Sequence, residues 1–163
     1  MYKYSYIYDY IPTTAENASE AQQADRETVL DFMDGALSSA LKAEIVRRIE
    51  AATNGNEPTY IVAFIPSWAQ ERTVERYGTL AAYLSDNLKS EVYLDAITLR
   101  QDSDPILQIK EFAVNSSRFS GKNVILVGSV FTTGDMLKSA GDLLMENGAL
   151  SVEGLFVAKV SEK

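Results

Sequence analysis

Apolar side chains recur at helical spacing in three segments of the chain, which predicts three amphipathic helices. The first stripe ends at Asn54-Gly55, a common signal for the end of a helix, and the third ends in the same way at Asn147-Gly148. The stripes consist of Leu37, Leu41, Ile45 and Ile49; of Val74, Tyr77, Leu80, Ala81, Leu84 and Leu88; and of Met136, Leu137, Ala140, Leu143 and Leu144.

Short apolar runs between and after these segments predict strands. The run "TYIVAFI" (59–65) predicts a strand buried on both faces and "NVILVG" another buried strand, while "EVYLDAITL" and "VEGLFVAKV" predict further strands. A further short helix is predicted after Asp104-Pro105, with Ile106, Ile109 and Ala113 on its apolar side. Alternating strands and helices predict an α/β fold in which helices flank a single parallel sheet. Sheets of this kind bind ligands beyond the carboxyl ends of their strands.

The N-terminal segment "YKYSYIYDY" has a different pattern, because tyrosine occupies every second position. Strand alternation places Tyr2, Tyr4, Tyr6, Tyr8 and Tyr10 on one face. Such a face either covers the domain core or a partner, or forms a platform on which a base or sugar stacks. The hydrophilic stretch that follows predicts a loop or a loose helix. We therefore divide the chain into residues 1–25, a Tyr-rich strand with a polar loop, and residues 26–163, one α/β domain.

The amino-acid composition limits the reactions and partners that are open to this chain. The 163 residues include neither Cys nor His, which excludes disulfides, thiolate nucleophiles and imidazole bases, so acid–base chemistry falls to Asp, Glu, Lys or Tyr. A net charge of −8 disfavours nucleic acid as a partner. The sequence contains neither a secretory signal nor a run of the ~20 apolar residues that a membrane span needs, so we expect a cytoplasmic protein without membrane contact.

The segment "ILVGSVFTTGDML" (125–137) joins a predicted strand to a predicted helix through a turn rich in hydroxyl groups. Backbone N–H groups at the start of a helix attract anions, and Thr132, Thr133 and Gly134 would add hydroxyls and a close backbone approach. The same residues also form an ordinary helix cap. Elsewhere, Asp95 is either a carboxylate tuned for proton transfer or a solvent-facing side chain. Arg72 and Arg76 either meet an anion or pair with nearby glutamates.

The longer segment "VILVGSVFTTGDMLKSAGDLLMENGALSV" resembles the signature of type I phosphoribosyltransferases. In that signature a strand leads to two acidic residues, an apolar pair, Thr-Thr-Gly and a helix. Upstream, "IVAFIPSWAQERTVERYGTLAAYLSDNL", "FAVNSSRF" and "VLDFMDGALSSALKAEIVRRI" are similar to segments of the competence protein F-like branch. The resemblance spans roughly residues 26 to 160.

The resemblance implies transfer of a phosphoribosyl group from phosphoribosyl pyrophosphate, with magnesium bridging the pyrophosphate of an active member. It assigns neither a catalytic residue nor a metal ligand of the chain by position. It places the acidic pair, which contacts ribose hydroxyls, at Gly128 and Ser129. It places the phosphate cradle at Phe131, Thr132, Thr133 and Gly134, and the pyrophosphate loop at Ser67, Trp68, Arg72 and Arg76.

The chain departs from the signature where charge matters most. Gly128 and Ser129 replace two carboxylates, Asp135 adds a negative charge beside the cradle, and Met136 replaces a hydroxyl residue. Three functions remain open: an inactive or weak member that binds a ribose phosphate or regulates; an active transferase acting on a base or amine; and an interaction domain using the Tyr-rich strand. By analogy with the fold, we expect a homodimer.

Overall fold

The structure is a computed structural model that describes residues 2–11, 18–67, 70–99 and 112–160. Within these ranges the chain forms seven strands and four α-helices. Their bounds are β1 (Tyr4–Tyr10), α1 (Glu20–Met33), α2 (Ser39–Thr53), β2 (Tyr60–Phe64), α3 (Gln70–Asn87), β3 (Glu91–Val92), β4 (Ile97–Leu99), β5 (Phe112–Val114), β6 (Asn123–Phe131), α4 (Asp135–Glu146) and β7 (Ser151–Val160).

The centre of the fold is a parallel sheet with the strand order β1-β7-β6-β2-β3. Strands β4 and β5 form a separate antiparallel pair. Helices cover both faces of the central sheet, and this confirms the predicted α/β class. Among the described residues, no helix combines the length and the apolar character that a membrane crossing requires.

Two hydrophobic cores lie on opposite faces of the sheet. Helices α1, α2 and α3 bury their apolar stripes on one face, where Phe32, Ile45 and Leu84 are almost fully buried. Helix α4 and the β4–β5 pair cover the other face, where Leu137 and Phe119 are buried. The strands between the two cores are therefore enclosed on both sides, as their continuous apolar runs predicted.

The ends of the helices follow the signals in the sequence. The N–H of Leu41 donates to the Ser38 hydroxyl at 3.1 Å at the start of α2, and Asn54 ends that helix in the left-handed conformation, with φ 45°. Helix α1 begins inside the hydrophilic stretch, because Ser19 and Gln22 form a capping box.

The predicted elements differ from the structure at several points. The run "EVYLDAITL" is two short strands, because the chain leaves the central sheet after β3 and pairs again as β4 with β5. Ala113, predicted on a helix, lies in β5, while the rest of that predicted helix, from Asp104, lies outside the described residues. Val74, predicted on a buried stripe, is 48% exposed.

The Tyr-rich strand lies at the edge of the sheet. Its tyrosines divide between the two cores instead of sharing one face. Tyr2, Tyr4 and Tyr6 pack against the core under α4, whereas Tyr8 and Tyr10 pack against the core under α1. Helix α1 contacts β1 and provides the surface that the last two rings cover.

Candidate functional site

The strand order creates a crevice between β2 and β6. From β2 the chain crosses through α3 to β3 on one side, and from β6 it crosses through α4 to β7 on the other side. Helices α3 and α4 also lie on opposite faces of the sheet. The loops that follow two neighbouring parallel strands therefore separate at this point, which is where open α/β sheets bind their ligands.

A cleft of about 230 Å³ occupies this crevice. It brings together four of the residues that the sequence analysis singled out, namely Ser67, Arg76, Gly128 and Ser129. Its full lining is Ile65, Pro66, Ser67, Arg76, Tyr77, Gly128, Ser129, Val130, Met136 and Phe156. A second cleft of about 230 Å³ shares Ser67 and Arg76 with the first and extends to Arg72.

Arg76 supplies the positive charge of the cleft. Its Nη1 donates to the Ser129 hydroxyl at 3.4 Å and its Nε donates to the Met33 carbonyl at 3.5 Å. Both distances are longer than the usual range of about 2.7–3.2 Å for an N–H···O hydrogen bond, so both bonds are weak. None of the carboxylates that the structure describes forms an ion pair with Arg76, although the side chain is half-buried. The guanidinium therefore keeps donor capacity for a ligand.

Tyr77 forms the buried wall behind Arg76 and Ser129. Its side chain is almost fully buried between Phe32 and Phe64. Burial raises the pKa of the Tyr77 hydroxyl above its ordinary value, while the charge of Arg76 and hydrogen bonds to Arg76 and Ser129 act in the opposite direction. Tyr77 is therefore a neutral phenol at pH 7, and its hydroxyl lies beside Arg76 and Ser129.

Gly128 lies under the ring of Phe156. A Cβ atom at position 128 would lie 2.5 Å from Cε1 of Phe156 and 3.2 Å from Cδ1 of Ile65. The pairing of β6 with β7 places Gly128 directly beside Phe156, and the Phe156 ring packs edge-on against Phe131 at 5.1 Å. Aromatic carbon thus fills the space that a side chain at position 128 would need.

The turn from β6 to α4 exposes Thr132 and Thr133. Gly134 adopts a φ of 88° at the start of the helix, a conformation that favours glycine. The Thr133 hydroxyl accepts from the N–H of Asp135 at 3.3 Å, and Asp135 is exposed. Phe131 is buried and stacks on Tyr4 with ring centroids 4.1 Å apart, so its side chain belongs to the core.

Two other candidate side chains form ion pairs with neighbouring residues. Arg72 is 73% exposed and lies 3.8 Å from Glu75. Asp95 is 48% exposed and accepts from Arg118 at 3.2 Å, an arrangement that the sequence analysis did not consider. Trp68 lies outside the described residues. Across the described ranges, no cluster of three acidic side chains is suited to hold a metal ion.

Sequence reasoning missed the roles of Tyr77 and Phe156 in the cleft. Tyr77 was assigned to the apolar stripe of a helix, and the pattern gave no sign that its hydroxyl lies beside Ser129. Phe156 lies on the following strand, and only the β6–β7 register brings it over Gly128. Neither contact has a local sequence signal.

Comparisons with known proteins add one similarity. The sequence matches no family model and no curated protein. Among solved structures, the chain is similar to the crystal structure of hypoxanthine-guanine phosphoribosyltransferase from Schistosoma mansoni in complex with IMP. The match covers 96% of this chain and 83% of that chain, with 15% sequence identity and a TM-score of 0.41. At these values the similarity transfers neither the activity nor the ligand of that enzyme to this chain.

Proposed function

We propose that this protein is a phosphoribosyltransferase-like binding or regulatory module that takes a phosphorylated ribose compound in the β2–β6 cleft and transfers phosphoribosyl groups weakly or not at all. The proposal rests on the position of Arg76, whose half-buried guanidinium faces hydroxyl groups. The resemblance of residues 125–137 to the phosphoribosyltransferase signature selects ribose phosphates among the possible anions.

The charge of the cleft supports an anionic ligand. A half-buried cation is stabilised by a charge-assisted hydrogen bond to an anion, which is roughly twice as strong as a neutral one. Within the described residues, the hydrogen bonds of Arg76 go to the neutral oxygens of Met33 and Ser129. The hydroxyls of Ser67 and Ser129 line the same cleft and suit the hydroxyl groups of a sugar. The Thr132–Gly134 turn, in which both threonines are exposed, offers a second phosphate position at the start of α4.

The same cleft opposes efficient transfer. Cleavage of a ribosyl–pyrophosphate bond develops positive charge on the sugar, and two carboxylates would stabilise that charge. Position 129 offers a neutral hydroxyl, and position 128 offers no side chain and no room for one. The missing pair represents several kcal/mol of transition-state stabilisation. The described side chains do not fit a resident metal, so magnesium would enter only with a pyrophosphate ligand.

Ligand-induced stabilisation tests the binding part of the proposal. We expect ribose 5-phosphate, or phosphoribosyl pyrophosphate with magnesium, to raise the free energy of unfolding by about 2.7 kcal/mol at a hundredfold excess over Kd. Arg76→Met should abolish most of this effect. The control variant Arg47→Met removes an exposed arginine outside the cleft and should respond as the wild type does. Free ribose should stabilise far less than its phosphate.

The opposite results would contradict the proposal in separate ways. An unchanged unfolding temperature of the wild type with both ligands would reject ribose-phosphate binding. Rapid pyrophosphate release in the presence of purine, pyrimidine or amine acceptors would reject the weak-transfer part and support an active transferase. Equal ligand response in Arg76→Met and wild type would remove the cleft as the binding site.

A further inference from the structure

Strand β1 leaves one edge of the sheet unpaired. Among the described strands it bonds to β7 alone. The N–H of Gly154 donates to the Lys3 carbonyl at 2.9 Å, and bonding groups alternate along a parallel ladder. The odd-numbered residues of β1 therefore bond to β7. The even-numbered residues, Tyr4, Tyr6, Tyr8 and Tyr10, direct their N–H and C=O groups toward the outer edge.

The sequence of this edge is nearly symmetric about Tyr6. In "YKYSYIYDY" tyrosine stands at equal distances on both sides of Tyr6, and Lys3 stands as far before it as Asp9 stands after it. Reversing the segment therefore places tyrosine opposite tyrosine and lysine opposite aspartate. A strand that matches its own reverse is suited to pair antiparallel with a second copy.

We infer that β1 pairs antiparallel with β1 of a second copy of this chain, on a two-fold axis at Tyr6 that places Lys3 of each copy opposite Asp9 of the other. The unpaired backbone groups of Tyr6 then bond to those of Tyr6 in the other copy. Those of Tyr4 bond to Tyr8. The two central sheets become one continuous sheet, and the exposed edge is covered. This inference concerns an edge strand and is independent of the ligand cleft.

The charges of β1 favour a second copy of this chain as the partner, and they favour one register of the antiparallel pairing. Lys3 is 84% exposed and its nearest carboxylate, Glu153, lies 3.8 Å away. Asp9 is also exposed. With the axis at Tyr6 the dimer contains two Lys3–Asp9 pairs, one on each side of the axis. With the axis at Ile7, the neighbouring register, Asp9 would face Ser5 and Lys3 would face Ile11, so both ion pairs would be lost.

The helix next to this edge lies on one face of the sheet. Helix α1 packs mainly against β1, with a smaller contact to β6, on the face that contains Phe32. The added strand would continue the sheet about 4.8 Å beyond β1.

Charge reversal tests the interface. We expect sedimentation equilibrium to show a wild-type dimer. Lys3→Glu and Asp9→Lys each replace two attractive pairs with repulsive ones and should raise the dimer Kd by roughly 2-fold to 30-fold or more. The double variant Lys3→Glu/Asp9→Lys should return the Kd to near the wild-type value. Lys89→Glu and Asp86→Lys make the same charge changes at exposed positions outside β1 and should leave the Kd unchanged.

Cross-linking tests the register, since the chain has no native cysteine. Facing residues of a hydrogen-bonded antiparallel pair have Cα atoms about 5.5 Å apart, within the range of a disulfide. Mild oxidation should therefore convert Tyr6→Cys to a covalent dimer. Ser5→Cys, whose counterpart lies diagonally across the axis, should remain uncross-linked. A monomeric wild type up to about 1 mM, no loss of dimer on charge reversal, or preferential cross-linking of Ser5→Cys would overturn the inference.

Discussion

At the scale of single residues, the contact between Gly128 and Phe156 decides what the cleft can do. The ring lies where a side chain at position 128 would begin. It cannot move aside easily, because it also packs against Tyr4 and Phe131. A buried ring held on several sides resists displacement. The absence of an acidic residue at position 128 is therefore built into the packing of two strands.

Gly128→Ala should destabilise the fold by about 1–3 kcal/mol through overpacking. Phe156→Leu removes part of the ring that the new methyl group would meet, although it leaves a cavity of its own. We therefore expect the double variant to be more stable than the sum of the single effects by at least ~0.5 kcal/mol. Urea denaturation of all four proteins measures this coupling. Strict additivity would show that the ring does not occupy the space above Gly128.

At the scale of elements, two helices each contain an interior glycine with different surroundings. In α3, a Cβ at Gly78 would lie 3.7 Å from Val74, an ordinary contact. In α4, a Cβ at Gly141 would lie 2.5 Å from the ring of Tyr2. Gly141 therefore allows the N-terminal tyrosine to lie directly on the helix, whereas Gly78 only weakens its helix.

The same substitution should consequently have opposite effects in the two helices. Gly78→Ala should stabilise the protein by about 0.5–1 kcal/mol through helix propensity. Gly141→Ala should push the Tyr2 ring off α4 and cost about 1 kcal/mol net, because the lost hydrogen bond and the lost ring contacts of Tyr2 together outweigh the gain in helix propensity. Thermal unfolding of both variants provides the comparison. Stabilisation by Gly141→Ala would mean that Tyr2 does not pack on α4.

The sequence pattern predicted these elements well where burial alone determines them. Helical stripes and apolar runs record which side chains avoid water, and so they located α2, α3 and α4. They do not record which strand is the partner. The split of "EVYLDAITL" into β3 and β4, and the division of the N-terminal tyrosines between two cores, both depend on long-range neighbours.

In the cleft, too, local motifs could be predicted from the sequence, whereas contacts between distant strands could not. Ser67, Arg76, Gly128 and Ser129 were predicted from a motif, because strand ends in a parallel sheet converge on one edge. Phe156 required the register of β6 with β7, which side-chain alternation does not specify. The consequence for chemistry, a filled space above Gly128, was therefore invisible in the sequence.

At the scale of the whole molecule, one hydrogen-bonded group ties the N-terminus to the last helix. The Tyr2 hydroxyl donates to Oδ1 of Asp142 at 2.6 Å, and Lys138 donates to Oδ2 at 2.7 Å. Burial, followed by the bond to Asp142, raises the pKa of Tyr2 to about 12. The bonds from Lys138 and then Tyr2 hold the pKa of Asp142 below its ordinary value.

These pKa shifts predict how the stability contributed by the Tyr2–Asp142 hydrogen bond depends on pH. The raised pKa of Tyr2 means that its contribution is complete below pH 10, the ordinary value, and is lost as pH rises toward about 12. The lowered pKa of Asp142 means that its contribution is complete well above pH 3.8 and is lost as pH falls below that value. The free energy that Tyr2 adds should therefore be greatest between these limits.

Tyr2→Phe isolates this contribution from the other tyrosines. Near pH 7 we expect the variant to be less stable by about 1 kcal/mol, since a partly exposed bond to a carboxylate is weakened by solvent. The difference from wild type should shrink between pH 10 and 12 as the Tyr2 hydroxyl loses its proton, and again below pH 3.8 as Asp142 gains one. Tyr60→Phe removes a hydroxyl elsewhere and should show neither trend. A pH-independent difference for Tyr2→Phe would mean that the hydrogen bond to Asp142 does not help to hold the N-terminal strand on α4.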